Sequence, residues 1–450
     1  MTHFLRIPPF TAGRTGFSTA DAMIRLVKGL ILPAILFANF GGLDASAAPI
    51  LASATRTTAF SSTSTTSVTV PLRNDGTKSL KFTTTVANQT VVITYNAECL
   101  VTAARGTWLS IKVLVDGTEA NPSSGTDFAL CSAVDTTGQT WSSAVRQSVL
   151  KVPQSGDHTV VISARLLAGS GYWWLDDSSL VIQRALGTFA TREGDFQSAA
   201  SAPTELPLLQ NGGKELNFST GAANNRLKIT YNAECVVAAP TSGRRVRTAI
   251  HVDSPSGFIA DLCNAVDSTG KTWAGVAQQV ALTIPFAGAH TVGVTGQVIS
   301  GEGNWRVDDS SLVITKGFLA SAVNNFGFLS SSTVEVPVPL LSNGDTSLEF
   351  TTAQNNQQVK LTYNAQCAVY AERGVWLGLR MEVDGVEAAP ASGFDFALCS
   401  ALGPKDTNNS QEFRQSVITI PNAGVHHVQV FARGSDIGDW ELAPGSMVVE

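Results

Sequence analysis

The sequence predicts an all-β chain of three tandem antiparallel β-sandwich domains, each closed by one intradomain disulfide. Three observations carry that expectation. A motif recurs as Tyr95-Asn-Ala-Glu-Cys99, Tyr231-Asn-Ala-Glu-Cys235 and Tyr363-Asn-Ala-Gln-Cys367, at spacings of 136 and 132 residues. Behind each copy the same landmarks follow in order: an aspartate (Asp116, Asp253, Asp384), a cysteine (Cys131, Cys263, Cys399), a Gly-x-His (His158, His290, His426) and a tryptophan (Trp173, Trp305, Trp440). The apolar residues alternate with period two, the pattern of strands that bury one face, and no segment carries a 3.6-residue stripe. A period near 130 residues matches one self-sufficient domain and is too long for a solenoid unit. The repeats are therefore expected at 55–186, 187–318 and 319–450.

Residues 1–54 are a different material. A cationic start from Met23 to Lys28, an apolar run from Gly29 to Phe40 and the small-x-small Ala45-Ser46-Ala47 predict a secretory signal peptide and leader, cleaved near 47/48. That run is shorter than the ~20 residues that span a bilayer, and no second run follows it, so no membrane span is expected. Beyond residue 47 stand 26 Lys/Arg against 34 Asp/Glu, a net charge near −8. Such a surface repels phosphate backbones and argues against a nucleic-acid partner.

Within a repeat, Val91, Ile93, Tyr95, Ala97, Cys99 and Val101 form one face of a strand, matched by Leu227, Ile229, Tyr231, Ala233, Cys235 and Val237. That face is expected to point inward. The next strand has Leu109, Ile111, Val113 and Val115 inside and Trp108, Ser110 and Lys112 outside, and it ends in the turn signal Asp116-Gly117. Later strands are expected at 148–152, 159–167 and 173–182. The six cysteines fall two per repeat, 32, 28 and 32 residues apart, so Cys99–Cys131, Cys235–Cys263 and Cys367–Cys399 are the economical pairs. Pairing between copies stays open. Zinc is the competing use of paired cysteines, but the chain has no Cys-x-x-Cys and no His pair at ligand spacing.

Phe82-Thr-Thr, a turn, then Val91-Val-Ile-Thr-Tyr95-Asn-Ala97 resembles the early strands of the C1q/TNF-like jelly-roll superfamily. The resemblance covers one strand pair and the domain length. It implies a jelly-roll-like sandwich and, since members of that superfamily form trimers, an intramolecular pseudo-trimer of the three copies. The alternative is beads on a string.

Candidate functional residues are those where the copies differ on an outward face. Alternation makes Trp173, Trp305 and Trp440 core. On the opposite face stand Tyr172 and Trp174, against Asn304 and Arg306, then Asp439 and Glu441. Trp108 and Trp376 are outward on the second strand, with Arg245 in their place in repeat 2. Aromatic platforms stack on sugar rings or anchor protein interfaces, so Trp108, Tyr172, Trp174 and Trp376 are the ligand-binding candidates, and an extracellular glycan or protein surface is the expected partner. The histidines are expected to hold turns. Asp176-Asp177-Ser178-Ser179 and Asp308-Asp309-Ser310-Ser311 supply hard oxygen ligands of the kind calcium accepts, where copy three reads Ala443-Pro444-Gly445-Ser446. Solvated turns explain them as well, and no metal or other cofactor is expected. No nucleophile with its base and no phosphate-cradling loop is present; Glu98 and Asp116 read as strand-end polar residues. The chain reads as a secreted, non-enzymatic binding or adhesion protein, lectin-like in style. A structural component of an envelope or fibre is the second reading and a hydrolase the third.

Overall fold

The structure, a computed structural model, describes residues 47–450 other than 126, 241–242, 267 and 404–409. The expected signal peptide lies outside them up to its last residue, Ala47. Among the described residues there is no helix, and hence none long and apolar enough to cross a membrane.

The first repeat consists of β1 (Ile50–Arg56), β2 (Phe60–Ser62), β3 (Val68–Thr69), β4 (Leu80–Thr84), β5 (Gln89–Ala103), β6 (Trp108–Val115), β7 (Thr118–Glu119), β8 (Ala129–Ser132), β9 (Ser142–Val152), β10 (Gly156–Leu167) and β11 (Gly171–Arg184). β1 and β2 lie along the same side of β11, followed by β5 and then β9. β3 and β4 lie likewise along β10, followed by β6 and then β7 and β8. Counting each split pair once, two four-stranded antiparallel sheets face each other in the strand order of a jelly roll. Repeats 2 and 3 follow the same order. β1 straddles the 54/55 boundary drawn from the sequence, because its pairing with Ser178–Gln183 of β11 begins at Ile50.

The sandwich core is what the alternation dictates. Tyr95, Ala97 and Cys99 are at most 1% exposed, and Trp173, Trp305 and Trp440 are wholly buried. Each tryptophan meets a phenylalanine edge-on, Phe60, Phe196 or Phe328, at 5.4 to 5.5 Å. The disulfides pair Cys99 with Cys131, Cys235 with Cys263 and Cys367 with Cys399, at Cα separations of 6.1 to 6.2 Å. Each joins the motif strand of one sheet to an edge strand of the other, closing a loop of about 30 residues, worth roughly 3.6 kcal/mol in the chain-entropy model.

The other face of the motif strand is equally buried, and this the alternation does not announce. β5 pairs on one side with β9, an edge strand that leaves a row of backbone groups without a partner in its own sheet. The asparagine of the motif in the next repeat supplies one. Asn232 Nδ2 donates to Val145 O at 3.0 Å and its Oδ1 accepts from Gln147 N at 2.8 Å. Asn364 does the same to Ala277 O and Gln279 N, both at 2.9 Å. Asn96 closes the ring on Phe413 O at 2.9 Å and Gln415 N at 3.0 Å. The carboxamide stands in for a strand's peptide group, with one donor and one acceptor at the right spacing. Val145, Ala277 and Phe413, one from each repeat, pack together where the three edge strands meet. The three sandwiches thus form a pseudo-threefold ring rather than beads on a string.

Hydroxyls repeat the same cycle: Ser179 to Gln415 O at 3.1 Å, Ser311 to Gln147 O at 3.1 Å and Ser446 to Gln279 O at 3.4 Å. Toward one end of the ring, buried Lys228 and Lys360 share the Glu450 carboxylate, and Lys360 also donates to Gln183 Oε1 of repeat 1 at 2.5 Å. Burial pushes Lys228 down to about 7 despite that carboxylate.

Asn232→Ala would leave Val145 O and Gln147 N buried without partners, at about 1–3 kcal/mol for each group. We expect a loss of about 3 kcal/mol in urea unfolding followed by far-UV circular dichroism. Parent-like stability would show that the ring does not rest on this amide.

Candidate functional site

Of the four aromatic candidates, the structure brings two together. Tyr172 and Trp174 lie on β11 with ring centroids 6.0 Å apart and planes 27° apart, and Tyr172 is 57% exposed. Strand alternation stands them side by side on the outer face of the first sheet, opposite Thr102 and Leu100 of β5, while Trp173 between them turns inward.

Trp108 and Trp376 sit elsewhere, half-buried at the rims of two junctions. Trp108 lies in the second sheet of repeat 1, opposite Ser132 of β8, whose hydroxyl donates to Trp273 O of repeat 2 at 2.6 Å. Trp376 lies opposite Ser400, whose hydroxyl donates to Trp141 O of repeat 1. Beside it, Arg373 pairs with Asp135 of repeat 1. Trp376 therefore belongs to the same junction as Trp141, which sequence reasoning passed over. Its signal was present: Thr-Trp recurs at 140–141 and 272–273. In repeat 2 the guanidinium of Arg306, at the Trp174 position, stacks 4.9 Å over Trp273, at the Trp141 position. In repeat 1 both corresponding positions are tryptophan.

The histidines clasp three strands. His158 Nδ1 bonds Asp116 Oδ2 at 2.7 Å and Nε2 meets Thr84 Oγ1 at 3.0 Å. The same trio recurs as His290, Asp253, Thr220 and as His426, Asp384, Thr352. The order Thr, His, Asp looks like a nucleophile with its base, but each threonine hydroxyl donates to a backbone carbonyl, that of Gln154, Phe286 or Asn422. The aspartates occupy the left-handed corner of the turn after the second long strand, at φ 49°, 54° and 51°. Burial pushes the Asp116 carboxyl up, and the bonds from His158 and Thr159 N outweigh it, leaving the group below the usual aspartate range. The clasp ties β4, β10 and the β6–β7 turn, so Asp116 holds that corner.

Glu98 is no strand-end residue. It is 3% exposed in mid-strand and accepts from Ala397 N of repeat 3 at 2.5 Å. Glu234 accepts from Ala129 N of repeat 1, and Gln366, its amide turned so that oxygen faces the strand, accepts from Asp261 N of repeat 2 at 2.5 Å. These three continue the asparagine ring two residues along the motif strand. What could have found them is that Asn recurs in all three copies and Glu in two on a face that solvent would have let drift.

The Asp-Asp-Ser-Ser segments lie beside these glutamates, not in solvated turns. β11 bulges between Asp176 and Ser179, and Asp177 and Asp309 take left-handed φ of 41°. Desolvation, before any charge effect, pushes Asp177 up to about 6 and Asp309 up to about 7. Among the described residues no three His, Cys, Asp or Glu side chains are arranged to hold a metal ion.

No protein-family model matches the chain, and no curated protein matches it. Solved structures to which it is similar include the tandem CBM22-1–CBM22-2 domains of Paenibacillus barcinonensis Xyn10C, at 11% identity over 60% of this chain and 98% of that one, with a TM-score of 0.17. Recombinant peptide:N-glycanase F is similar at 12% identity over 58% of this chain and 95% of that one, with a TM-score of 0.25. Likeness at this level carries no functional argument.

His158→Ala should cost about 2 kcal/mol, since it removes the bond to Asp116 and the bond between the ring and Thr84 Oγ1, leaving that hydroxyl only its bond to Gln154 O. Chemical unfolding of the variant measures it; an unchanged midpoint would remove the clasp from the account of stability.

Proposed function

We propose that this chain is an extracellular, non-enzymatic glycan-binding protein, with Tyr172 and Trp174 as its platform. One observation carries the reading: the exposed ring of Tyr172 stacks beside the half-buried ring of Trp174 on one strand of repeat 1, while repeats 2 and 3 place Asn304, Arg306, Asp439 and Glu441 at those positions. The apolar C–H face of a pyranose packs on such rings at little entropic cost, because the strand already fixes them. Trp141 and Trp376, at the same junction, would extend the surface to a second sugar residue. Three intradomain disulfides suit an oxidising compartment, which supports secretion. The jelly-roll order and the threefold packing support the C1q/TNF-like resemblance, here with the trimer folded into one chain.

Structural assembly is the second reading, favoured by Phe326 and Leu329, which are 64% and 65% exposed on repeat 3. A glycan array probed with the chain and with Tyr172→Ala and Trp174→Ala separates the two. The first reading expects tenfold or greater loss of binding in both variants, with thermal unfolding unchanged. No binding by the folded parent, together with concentration-dependent growth in light scattering that Leu329→Asp abolishes, would replace it with the second.

A further inference from the structure

The three junctions of the ring are built alike but charged differently. Where repeat 3 meets repeat 1, Glu98 of β5 and Asp176 and Asp177 of β11 face Asp395 from the loop ahead of strand Ala397–Ser400. One buried cation, Arg414 on strand Ser410–Ile420, opposes them; Glu387 acts on that arginine, and Arg56 of β1 acts on Asp176. Where repeat 1 meets repeat 2, Glu234, Asp308 and Asp309 face Asp127. There the buried cation is Arg146 of β9, paired with Glu119, while Arg306 sits beside Asp308 and pairs with Asp195. Where repeat 2 meets repeat 3 every corresponding position is neutral: Gln366, Ala443, Pro444, Ile259 and, for the arginine, Gln278.

Replacement of five positions together marks them as one unit. The acidic junctions also hold a group that ionisation would leave stranded. Asp177 is 2% exposed, and neither of its carboxylate oxygens makes a well-formed hydrogen bond, the Ser392 hydroxyl being too poorly placed to serve as more than a weak partner. A buried, unbonded carboxylate beside Glu98 is stable only while it carries a proton. In repeat 2, Asp309 has, among the described residues, one long contact, from Gly194 N at 3.3 Å.

We infer that repeat 1 is held to both its neighbours through proton-bearing carboxylates, so that rising pH loosens the ring around repeat 1 while the contact between repeats 2 and 3 stays closed. The proton is the ligand of this device. In an opened chain these carboxyls ionise near pH 4, whereas the closed junctions keep them protonated to higher pH. The closed state therefore binds more protons from about pH 4 upward, and its stability falls as pH rises through the values of about 6 and about 7 to which Asp177 and Asp309 are pushed. Because Tyr172 and Trp174 belong to repeat 1, the element that loosens also carries the aromatic pair. The inference does not depend on what that pair binds.

Three amides report on the three junctions directly: Ala397 N on Glu98, Ala129 N on Glu234 and Asp261 N on Gln366. Hydrogen exchange of the full chain between pH 5.5 and 7.5, corrected for the intrinsic chemical rate, should show protection around Ala129 and Ala397 falling tenfold or more and protection around Asp261 unchanged. The combined variant Glu98→Gln, Asp177→Asn, Glu234→Gln, Asp309→Asn should flatten most of the pH dependence at Ala129 and Ala397, with Asp176 and Asp308 the carboxyls of β11 and its counterpart left to titrate there. It leaves buried Glu412, which desolvation pushes up to about 8, and Lys228 as internal controls. A parallel loss at all three amides, or none, would overturn the inference. Should the variant not fold, the parent comparison decides alone.

Discussion

An edge strand that is buried must have its backbone groups paired, and one asparagine side chain per repeat, with one serine hydroxyl beside it, pairs those that face the neighbouring sandwich here. β9 and its counterparts Ala274–Ile284 and Ser410–Ile420 each end a sheet. Left open, such edges recruit other chains. A second strand would satisfy them only by merging the sheets. A primary amide offers the same donor and acceptor from a side chain, so each sandwich caps its neighbour's edge and stays a separate sandwich. The cycle from Asn232 to repeat 1, Asn364 to repeat 2 and Asn96 to repeat 3 closes because three copies suffice to turn the chain back on itself.

One strand therefore serves two buried surfaces. Tyr95, Ala97 and Cys99 fill the sandwich, and Thr94, Asn96 and Glu98 fill the junction, the period of two dividing the roles. This is why both halves of the motif persist among copies that differ freely elsewhere. A slip of one residue in register would exchange core for interface, so the two sets of contacts hold each other in place.

Symmetry then becomes a background against which departures carry meaning. In repeat 2 the single strand Gly257–Asn264 runs where repeats 1 and 3 each have two short strands, and the arginine that braces their loop is Gln278. The acidic partners facing that strand are gone as well. At the rim of the first sheet's outer face, opposite Thr102 and Leu100, the copies differ, and there repeat 1 carries its aromatic pair.

The all-β class, the three-domain layout, the strand faces and the disulfide partners were legible in the residues, because short-range alternation and cysteine spacing encode them locally. The inward tryptophans followed from the same alternation, and so did the outward direction of Tyr172 and Trp174. Trp108 and Trp376 were read correctly as off the core, yet their place at junction rims depends on residues of other repeats that no local pattern names. Glu98 was misread for a related reason: a polar residue on the second face of a strand looks solvated until a neighbouring domain is known to cover it. Sequence by itself determined what each repeat is, since a sandwich core is a matter of period and apolar content. Only the tertiary structure decided what the repeats are to one another, because contacts such as Asn96 with Phe413, separated by 317 residues, arise from closing a ring.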